Sequence, residues 1–503
     1  MITEVTRAHA PFAMDGVSVD AAGVRHYTGL PVTLLEMLRN HVAAHPDREA
    51  VVELGGERLT YQELWDRSAR VAGGLRAAGL ERGDRVAVRY PAGIRWVLAF
   101  WGTIMAGGIV VAVNTRSAQP EVEFVLADSG ARIDLDAELP DGEPFVVDGL
   151  GATDVAAFFY TSGTTGKPKG VPTTHEAFIA NCENMIRSIG LSRDLPELRT
   201  LITVPLFHVT GCNSQLLTVL HAGGSAVIMP ALSVPGLVAA LAEEKISFLV
   251  TVPAVYALVL RNPAFADADV SSVRWVGYGG APIAPSLVLA LQNAFPRAQV
   301  FNGYGMSETA SLMTVLPHAD AVEHADSVGY VVPSVDLGVV PMGDDPSLGE
   351  LVVRGANVTS GYWNRPDATA DTIVDGWLHT GDVVRVDEAG RVHIVDRIKD
   401  IIIRGGENVS SVEVEAVLLA APAVADAAVI AVPDDVMGEK VGAVLFGEGI
   451  DIAAVIAHCR ANLADFKVPQ YVSLASEALP RNAGGKLLKN RLREHVAWGP
   501  ALR

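Results

Sequence analysis

The stretch Tyr160–Gly170, YTSGTTGKPKG, packs three glycines, a run of hydroxyl side chains and two lysines into eleven positions. Glycine frees the backbone to wrap a ligand, and hydroxyl and ammonium groups attract anionic oxygens, so the composition suits phosphate. A Walker loop needs a glycine, four residues, then Gly-Lys-Ser/Thr. Here Thr161 stands in place of that first glycine, and Pro168 in place of the hydroxyl that would meet magnesium. The Walker reading fails. What remains is a hydroxyl-rich hairpin that can enclose a polyphosphate from one side with Thr161, Ser162, Thr164, Thr165 and Lys167. An ordinary glycine-rich loop shares this composition.

Such a hairpin must be held by regular elements. LLEMLRNHVAAHP predicts an amphipathic helix stopped by Pro46, followed by the strand AVVEL, a Gly-Gly turn and RLTY. TYQE supplies a capping box, with Thr60 as N-cap and Glu63 three residues on, and that helix ends at Gly79. RVAVRY, WVLAFWGTIMAGG and IVVAVN continue the alternation of strand and helix, which predicts a mainly parallel sheet covered on both faces. SAVIMP, GLVAALAEEK and SFLVTVP repeat the pattern after the hairpin, and VRWVGYGGAP and AQVFNGYGMSE are strands ending in glycines. Ligands of open α/β sheets bind where strands end, so loops 161–167, 278–282 and 302–308 can line one crevice.

Near residue 395 the pattern changes. SSVEVEAVLLA, with Ser410 and Glu413 as a second capping box, DAAVIAVP and GAVLFG form a compact unit of about a hundred residues. The expected fold is α/β: a large multi-layer N-terminal domain (1–397) with mainly parallel sheets flanked by helices, and a small α+β C-terminal domain (398–503).

A chain of 503 residues exceeds one ordinary core. Its net charge of −19 and pI near 5.1 argue against a general nucleic-acid binder, while leaving room for small anionic substrates held by local positive groups. Cys182, Cys212 and Cys459 are far apart and read as buried free thiols. The start MITEVTRAHAPFAMDG has neither basic leader nor apolar core, and no apolar window reaches a membrane span, so a cytoplasmic location is expected.

Together with NGYGMSE (302–308), GELVVRG (349–355), GWLHTGD (376–382), DRIKD (396–400) and LPRNAGGK (479–486), the hairpin resembles the adenylate-forming superfamily of acyl- and aryl-CoA synthetases, luciferases and peptide-synthetase adenylation domains. The resemblance runs in order from about residue 34 to 495. It implies ATP, Mg2+ and CoA: a carboxylate attacks the α-phosphate, pyrophosphate leaves, the small domain turns, and a thiol displaces AMP. By resemblance, Thr161, Ser162, Gly163, Thr164, Thr165, Gly166 and Lys167 hold the β- and γ-phosphates, and Glu308 with Thr161 serves magnesium. Asn302, Gly303, Tyr304 and Gly305 frame the adenine, opposite Gly280, Ala281 and Pro282. Ser307 replaces a usual threonine and keeps a hydroxyl for the α-phosphate. Asp382 accepts both ribose hydroxyls, Arg397 reaches ribose or phosphate, and Lys486 bridges carboxylate and α-phosphate. Lys399 marks the hinge, while Arg404, Gly405 and Gly406 face CoA. Nearby Lys489, Arg491 and Arg493 are expected on a solvated helix face.

PLFHVTGCN (205–213) falls where this superfamily builds its acyl pocket and a histidine gate. The resemblance assigns Phe207, His208, Val209, Cys212, Tyr278, Gly279 and Met306 to the pocket, with His208 at the chemistry. His208 follows Phe207 where amino-acid-activating relatives carry an aspartate, so an α-amino acid is not expected. The stretch has no arginine for a second carboxylate. An apolar monocarboxylic acid, fatty, aromatic or ring-bearing, is expected, with CoA as acceptor. The alternatives are an adenylase that loads a carrier protein, a luciferase-like oxygenase and a non-catalytic acyl-binding scaffold. The chain ends at Arg503 without an attached carrier module, which favours CoA, and Lys486, Glu308 and Asp382 oppose the scaffold.

Overall fold

The alternation of apolar strands and helices resolves into two large sheets with parallel centres. The computed structural model describes residues 2–502 except 162–167, 282, 343–344, 405–406, 435 and 482–486. The larger sheet has nine strands. Its parallel centre runs from Glu49–Glu53 through Ser225–Ile228, Arg199–Ile202, Phe248–Thr251 and Trp275–Gly279 to Gln299–Met306. The second sheet has five strands, in the order Lys169–Thr174, Val155–Thr161, Ile109–Ala112, Arg85–Val88, Ala131–Leu135. It is parallel except for the hairpin between the first two. These strands are short and aliphatic because helices bury both faces; Val86, Ala87, Val88, Val110 and Val111 are all fully buried.

The helices start and stop where their ends dictate. Leu34–Ala44 is capped by Thr33 and closes at His45, one residue before Pro46. Tyr61–Ala77 carries both halves of the Thr60/Glu63 capping box. After the strand Ala131–Leu135, the tract up to residue 147 lies flat on two helices, with the Phe145 amide donating to the Ala69 carbonyl (2.9 Å) and Val147 to Met105 (2.7 Å). A Cβ on Gly73 would sit 1.8 Å from the Glu143 oxygen, so that helix face must stay bare. Among the described residues no helix is long and apolar enough to cross a membrane.

A third, antiparallel sheet of six strands was not foreseen from periodicity. The motifs GELVVRG and GWLHTGD lie in its central strands, Leu348–Gly355 and Trp377–Val386. Val392–Arg397 lies beside the latter, and the N-terminal residues Thr3–Glu4 pair with Val335–Pro341. Beyond Arg397 a mixed five-stranded sheet encloses a separate core containing Ile402, Val414, Leu418, Val429, Val441 and Val455.

Two expectations for this last region need correction. The second capping box forms only by half: the Ser410 hydroxyl accepts from the Glu413 amide at 3.2 Å, but the Glu413 carboxylate is taken by Lys467 at 2.7 Å. Lys489 does not sit on a solvated face, whereas Arg493 is exposed, as expected, although it is paired. The helix Lys489–His495 seats Leu492 beside Ala428 and Ile430, which turns position 489, one turn earlier on the same face, inward. Lys489 is 12% exposed and pairs with Glu415 at 2.7 Å, and Arg493 pairs with Asp400 at 2.6 Å. Arg491 is exposed, as expected.

Candidate functional site

The hydroxyl hairpin is rooted where Thr161 faces Lys169 across the antiparallel pair. Its base is fixed to the helix Gln119–Ser129 by the Tyr160 hydroxyl, which donates to Asp128 at 2.9 Å, and Arg365 holds the other Asp128 oxygen at 2.5 Å. Ser162, Gly163, Thr164, Thr165, Gly166 and Lys167 themselves lie outside the described residues, as do Pro282, Gly405, Gly406 and Lys486.

Glu308 lies in the single helical turn Ser307–Thr309 and is 6% exposed. The turn runs into Ala310 at φ 52° and Ser311 at φ 129°, a left-handed backbone that non-glycine residues adopt only when held there. Two asparagines hold it. The Asn213 amide donates to the Ala310 carbonyl (2.7 Å), and the Asn357 amide donates to Thr309 (2.7 Å) and Leu312 (2.8 Å). The segment 359–363 joins this turn to the hairpin root. The Thr359 amide donates to the Glu308 carbonyl (2.8 Å), and Trp363 donates its amide to Gly170 (2.9 Å). The Tyr362 hydroxyl donates to Glu308 Oε1 at 2.8 Å, and Lys169 stands 4.1 Å above the Tyr362 ring. Burial and the Glu308 charge push the Tyr362 phenol well up, so it stays a donor. Neither Tyr362 nor Lys169 was singled out from the sequence, although SGYWNRP and the second lysine of GKPKG were legible.

Glu308 Oε2 has no hydrogen-bond partner among the described residues. No cluster of three or more His, Cys, Asp or Glu accompanies it there. A divalent ion would therefore take one carboxylate, with a hydroxyl such as that of Thr161, and fill its remaining positions with phosphate and water. That donor set fits magnesium, which keeps most of its waters.

The strands Trp275–Gly279 and Gln299–Met306 run side by side and end together, with Gly279 opposite Gly303. A Cβ on Gly279 would lie 2.4 Å from the Gly303 oxygen, and one on Gly305 would lie 1.4 Å from that of Ser311, so close backbone approach requires both glycines. Gly280 and the exposed Ala281 follow the first strand; buried Asn302, Gly303 and Tyr304 lie in the second, with Ser307 just after it. The Tyr304 hydroxyl donates to Asp382 Oδ2 at 2.5 Å, and Arg397 Nε sits 3.1 Å from Oδ1. Asp382 and Arg397 face each other across adjacent strands, and Asp382 is 7% exposed. One large-sheet strand and two strands of the antiparallel sheet thus converge on one carboxylate. Each of its oxygens keeps a second lone pair for a ligand.

Below this lies an apolar corner. Thr210–Leu217 is a π-helix, an uncommon winding that often marks functional segments. Phe207, Val209 and Cys212 are buried in one core with Leu312, and Met306 packs on it. Gly279 adds no side chain there. Tyr278 is a correction: successive strand residues alternate faces, and its side chain lies with Tyr256 and Val276 in the core on the opposite side of the sheet. His208 packs beside Phe207 with the rings tilted and their centroids 4.7 Å apart, and its buried Nε2 has no partner among the described residues. Burial, then the nearby Arg116, pushes the His208 imidazole down to about 4. Arg116 was not foreseen from the sequence. On the small domain, Arg404 donates to Gln470 at 3.3 Å, and exposed Lys399 lies in the turn after Arg397.

Burial also pushes the His175 imidazole, 1% exposed, down to about 4. Both histidines stay neutral in the folded protein at pH values where the unfolded chain takes up protons. Stability is therefore complete above the unfolded value of about 6.5 and declines as pH falls toward about 4, by up to about 1.4 kcal/mol per pH unit for fully buried His175. Thermal denaturation followed from pH 7 to 4.5 should show a falling midpoint, with a shallower slope in His175→Gln. Equal slopes would disprove the assignment.

Comparison with known proteins agrees with this geometry. The family model described as AMP-binding enzyme matches residues 38–144 and 134–363, and that of the AMP-binding enzyme C-terminal domain matches 413–486. Feruloyl-CoA synthase from Amycolatopsis sp is 38% identical over 472 residues, covering 88% of this chain and 95% of that protein. Long-chain-fatty-acid–CoA ligase FadD13 from Mycobacterium tuberculosis is 33% identical over 502 residues, covering 92% and 98%. The solved structure of o-succinylbenzoate coenzyme A synthetase (MenE) from Bacillus subtilis, in complex with ATP and magnesium ion, superposes with a TM-score of 0.83 at 30% identity, covering 91% of this chain and 99% of that one. With both family models matched in order and their sequences carried on the same α/β architecture, the chain belongs to the AMP-binding enzymes, as an adenylate-forming enzyme of the acyl-CoA synthetase type.

Proposed function

We propose that the protein activates an apolar monocarboxylic acid with ATP and passes the acyl group to CoA. The observation that carries this reading is Asp382: a buried carboxylate held from one side by Tyr304 and from the other by Arg397, with a free lone pair on each oxygen for the two ribose hydroxyls. Asn302, Gly303, Tyr304 and Gly305 then flank the adenine opposite Gly280, Ala281 and Pro282. Ser307 meets the α-phosphate, and Thr161 with the hairpin 162–167 takes the leaving phosphates. Glu308 and Thr161 would hold magnesium, which would supply positive charge against the phosphates. In the first step a carboxylate oxygen of the acid attacks the α-phosphorus and the bond to the β-phosphate oxygen breaks. Lys486 stabilises the charge that develops there. In the second step the CoA sulfur attacks the acyl carbon, the acyl–phosphate bond breaks, and AMP leaves. Residues 1–397 carry the nucleotide and acyl sites. Residues 398–503 carry Lys486 and, with Arg404, Gly405 and Gly406, the thiol-side contacts, turning at Lys399. We take the reaction to occur in the cytoplasm.

Neutral His208 beside Phe207, Val209, Cys212 and Met306 supports an uncharged acyl tail. Hydroxycinnamates and long-chain fatty acids are the first acids to test, because the two relatives above are named for them. The test is pyrophosphate exchange across fatty acids, benzoates, cinnamates, ring-fused carboxylates and, because Arg116 lies nearby, dicarboxylates. Exchange is expected only with acid present and best with apolar monocarboxylates; exchange with no acid at all in the panel would sink the reading. Thioester formation with CoA but not with a carrier protein separates the acceptors.

A further inference from the structure

We propose that Tyr362 is a positioning residue that aims the Glu308 carboxylate and ties it to the root of the phosphate hairpin, coupling metal affinity to hairpin geometry. This rests on the adenylation reading above. The segment 359–363 is a strap with one end on each component. On the hairpin side, the Thr359 hydroxyl donates to the Pro172 carbonyl and the Trp363 amide to Gly170, both at 2.9 Å, so the strap follows one edge of the strand Lys169–Thr174. On the glutamate side, the Thr359 amide fixes the Glu308 backbone, and the Tyr362 hydroxyl fixes Oε1 of its side chain. Gly361, at φ 148°, allows the strap to turn between these contacts; a Cβ there would lie 2.5 Å from Thr369.

The chemistry of the contact explains why a phenol stands here. A buried carboxylate without a donor is costly and free to rotate, whereas a phenol satisfies one oxygen, adds no charge and leaves the other for a cation. Lys169, over the ring face, draws electron density from the phenol and strengthens it as a donor. Lys169 is also the residue opposite Thr161. A displacement at the hairpin root therefore reaches Glu308 through a ring and one hydrogen bond.

The test uses Mn2+ as a paramagnetic probe, titrated in the presence of a non-hydrolysable ATP analogue and followed by electron paramagnetic resonance. Y362F removes only the hydroxyl. Its Mn2+ affinity is expected to fall about tenfold, the scale for losing a partner that orients a metal ligand, with an unchanged melting temperature. In an E308Q background the same change should have no further effect, because Tyr362 acts through that carboxylate. T359V, which frees the strap from Pro172 and leaves the phenol in place, should weaken Mn2+ in the same direction, and it keeps the test alive if Y362F is unstable. Wild-type affinity in both variants, or an equal loss in the E308Q background, overturns the proposal. The titration needs no acid substrate, so failure of acid-dependent exchange and failure of the Tyr362 role are told apart.

Discussion

Replacing Lys486 by alanine is expected to slow acyl-adenylate formation by at least ~10²-fold, the scale for one electrostatic contact in a transition state. Thioester formation from pre-made acyl-adenylate should change far less. The asymmetry follows from where charge develops. Attack on the α-phosphorus gathers negative charge around a phosphate that already carries it, and a cation on a long flexible stem can meet that charge and then withdraw. The second step replaces one acyl bond by another after pyrophosphate has gone, and needs no such cation. The residues bracketing this segment are well anchored: Arg481 and Leu487 form a β-bridge, and Arg481 holds Asp426 at 2.8 Å. Rapid-quench measurement of both half-reactions decides the matter, and equal losses in the two would remove the role.

Asp382→Asn is expected to weaken ATP and AMP binding by about 10²-fold, since two hydrogen bonds to a charged acceptor lose their charge assistance. The loss has a local cause as well. An asparagine nitrogen would confront either the Tyr304 hydroxyl or the Arg397 guanidinium, both of which are donors where they meet Asp382. Arg397 is 37% exposed, so its pairing contributes little to folding. The melting temperature should therefore fall only by what the disturbed Tyr304 contact costs, about 1–3 kcal/mol, while nucleotide affinity collapses. Calorimetric titration with AMP checks this without any turnover, and AMP affinity within about threefold of wild type, against the expected 10²-fold scale, would reject the ribose assignment.

What was legible in the sequence and what was not follow from the range of the forces involved. The helix Tyr61–Ala77 was readable because Thr60 and Glu63 settle their capping bonds within four residues. The strands of the two large sheets announce themselves by local runs of buried aliphatics. The antiparallel sheet did not, because Leu348–Gly355 and Trp377–Val386 mix glycine, charge and apolar residues and take their pairing from distant partners. Tyr278 was assigned to the acyl pocket by its place in a motif, but strand parity sends its side chain to the other face. The π-helix at Thr210–Leu217 has no local signature; it is held by contacts such as that from Asn213 to Ala310. Lys489 looked like a surface charge because its partner, Glu415, lies far away in sequence. Site residues in glycine-rich motifs were visible. Those that brace them, Tyr362, Asn213 and Asn357, were not, since a brace is defined by what it touches.

The carboxylate of Asp396 has one more implication. It precedes the turn at Lys399, yet accepts from the amide of Ser411, on the far side of that turn, and from the Ser411 hydroxyl at 3.0 Å. The Ser410 hydroxyl adds a donor to the Val395 carbonyl at 2.6 Å. The swing of the C-terminal unit about Lys399 proposed above would separate these partners and leave a 2%-exposed carboxylate without its cap. If the unit turns as proposed, these bonds latch the orientation seen. Under the proposed turn, Asp396→Asn or Ser411→Ala is expected to shift the population between orientations.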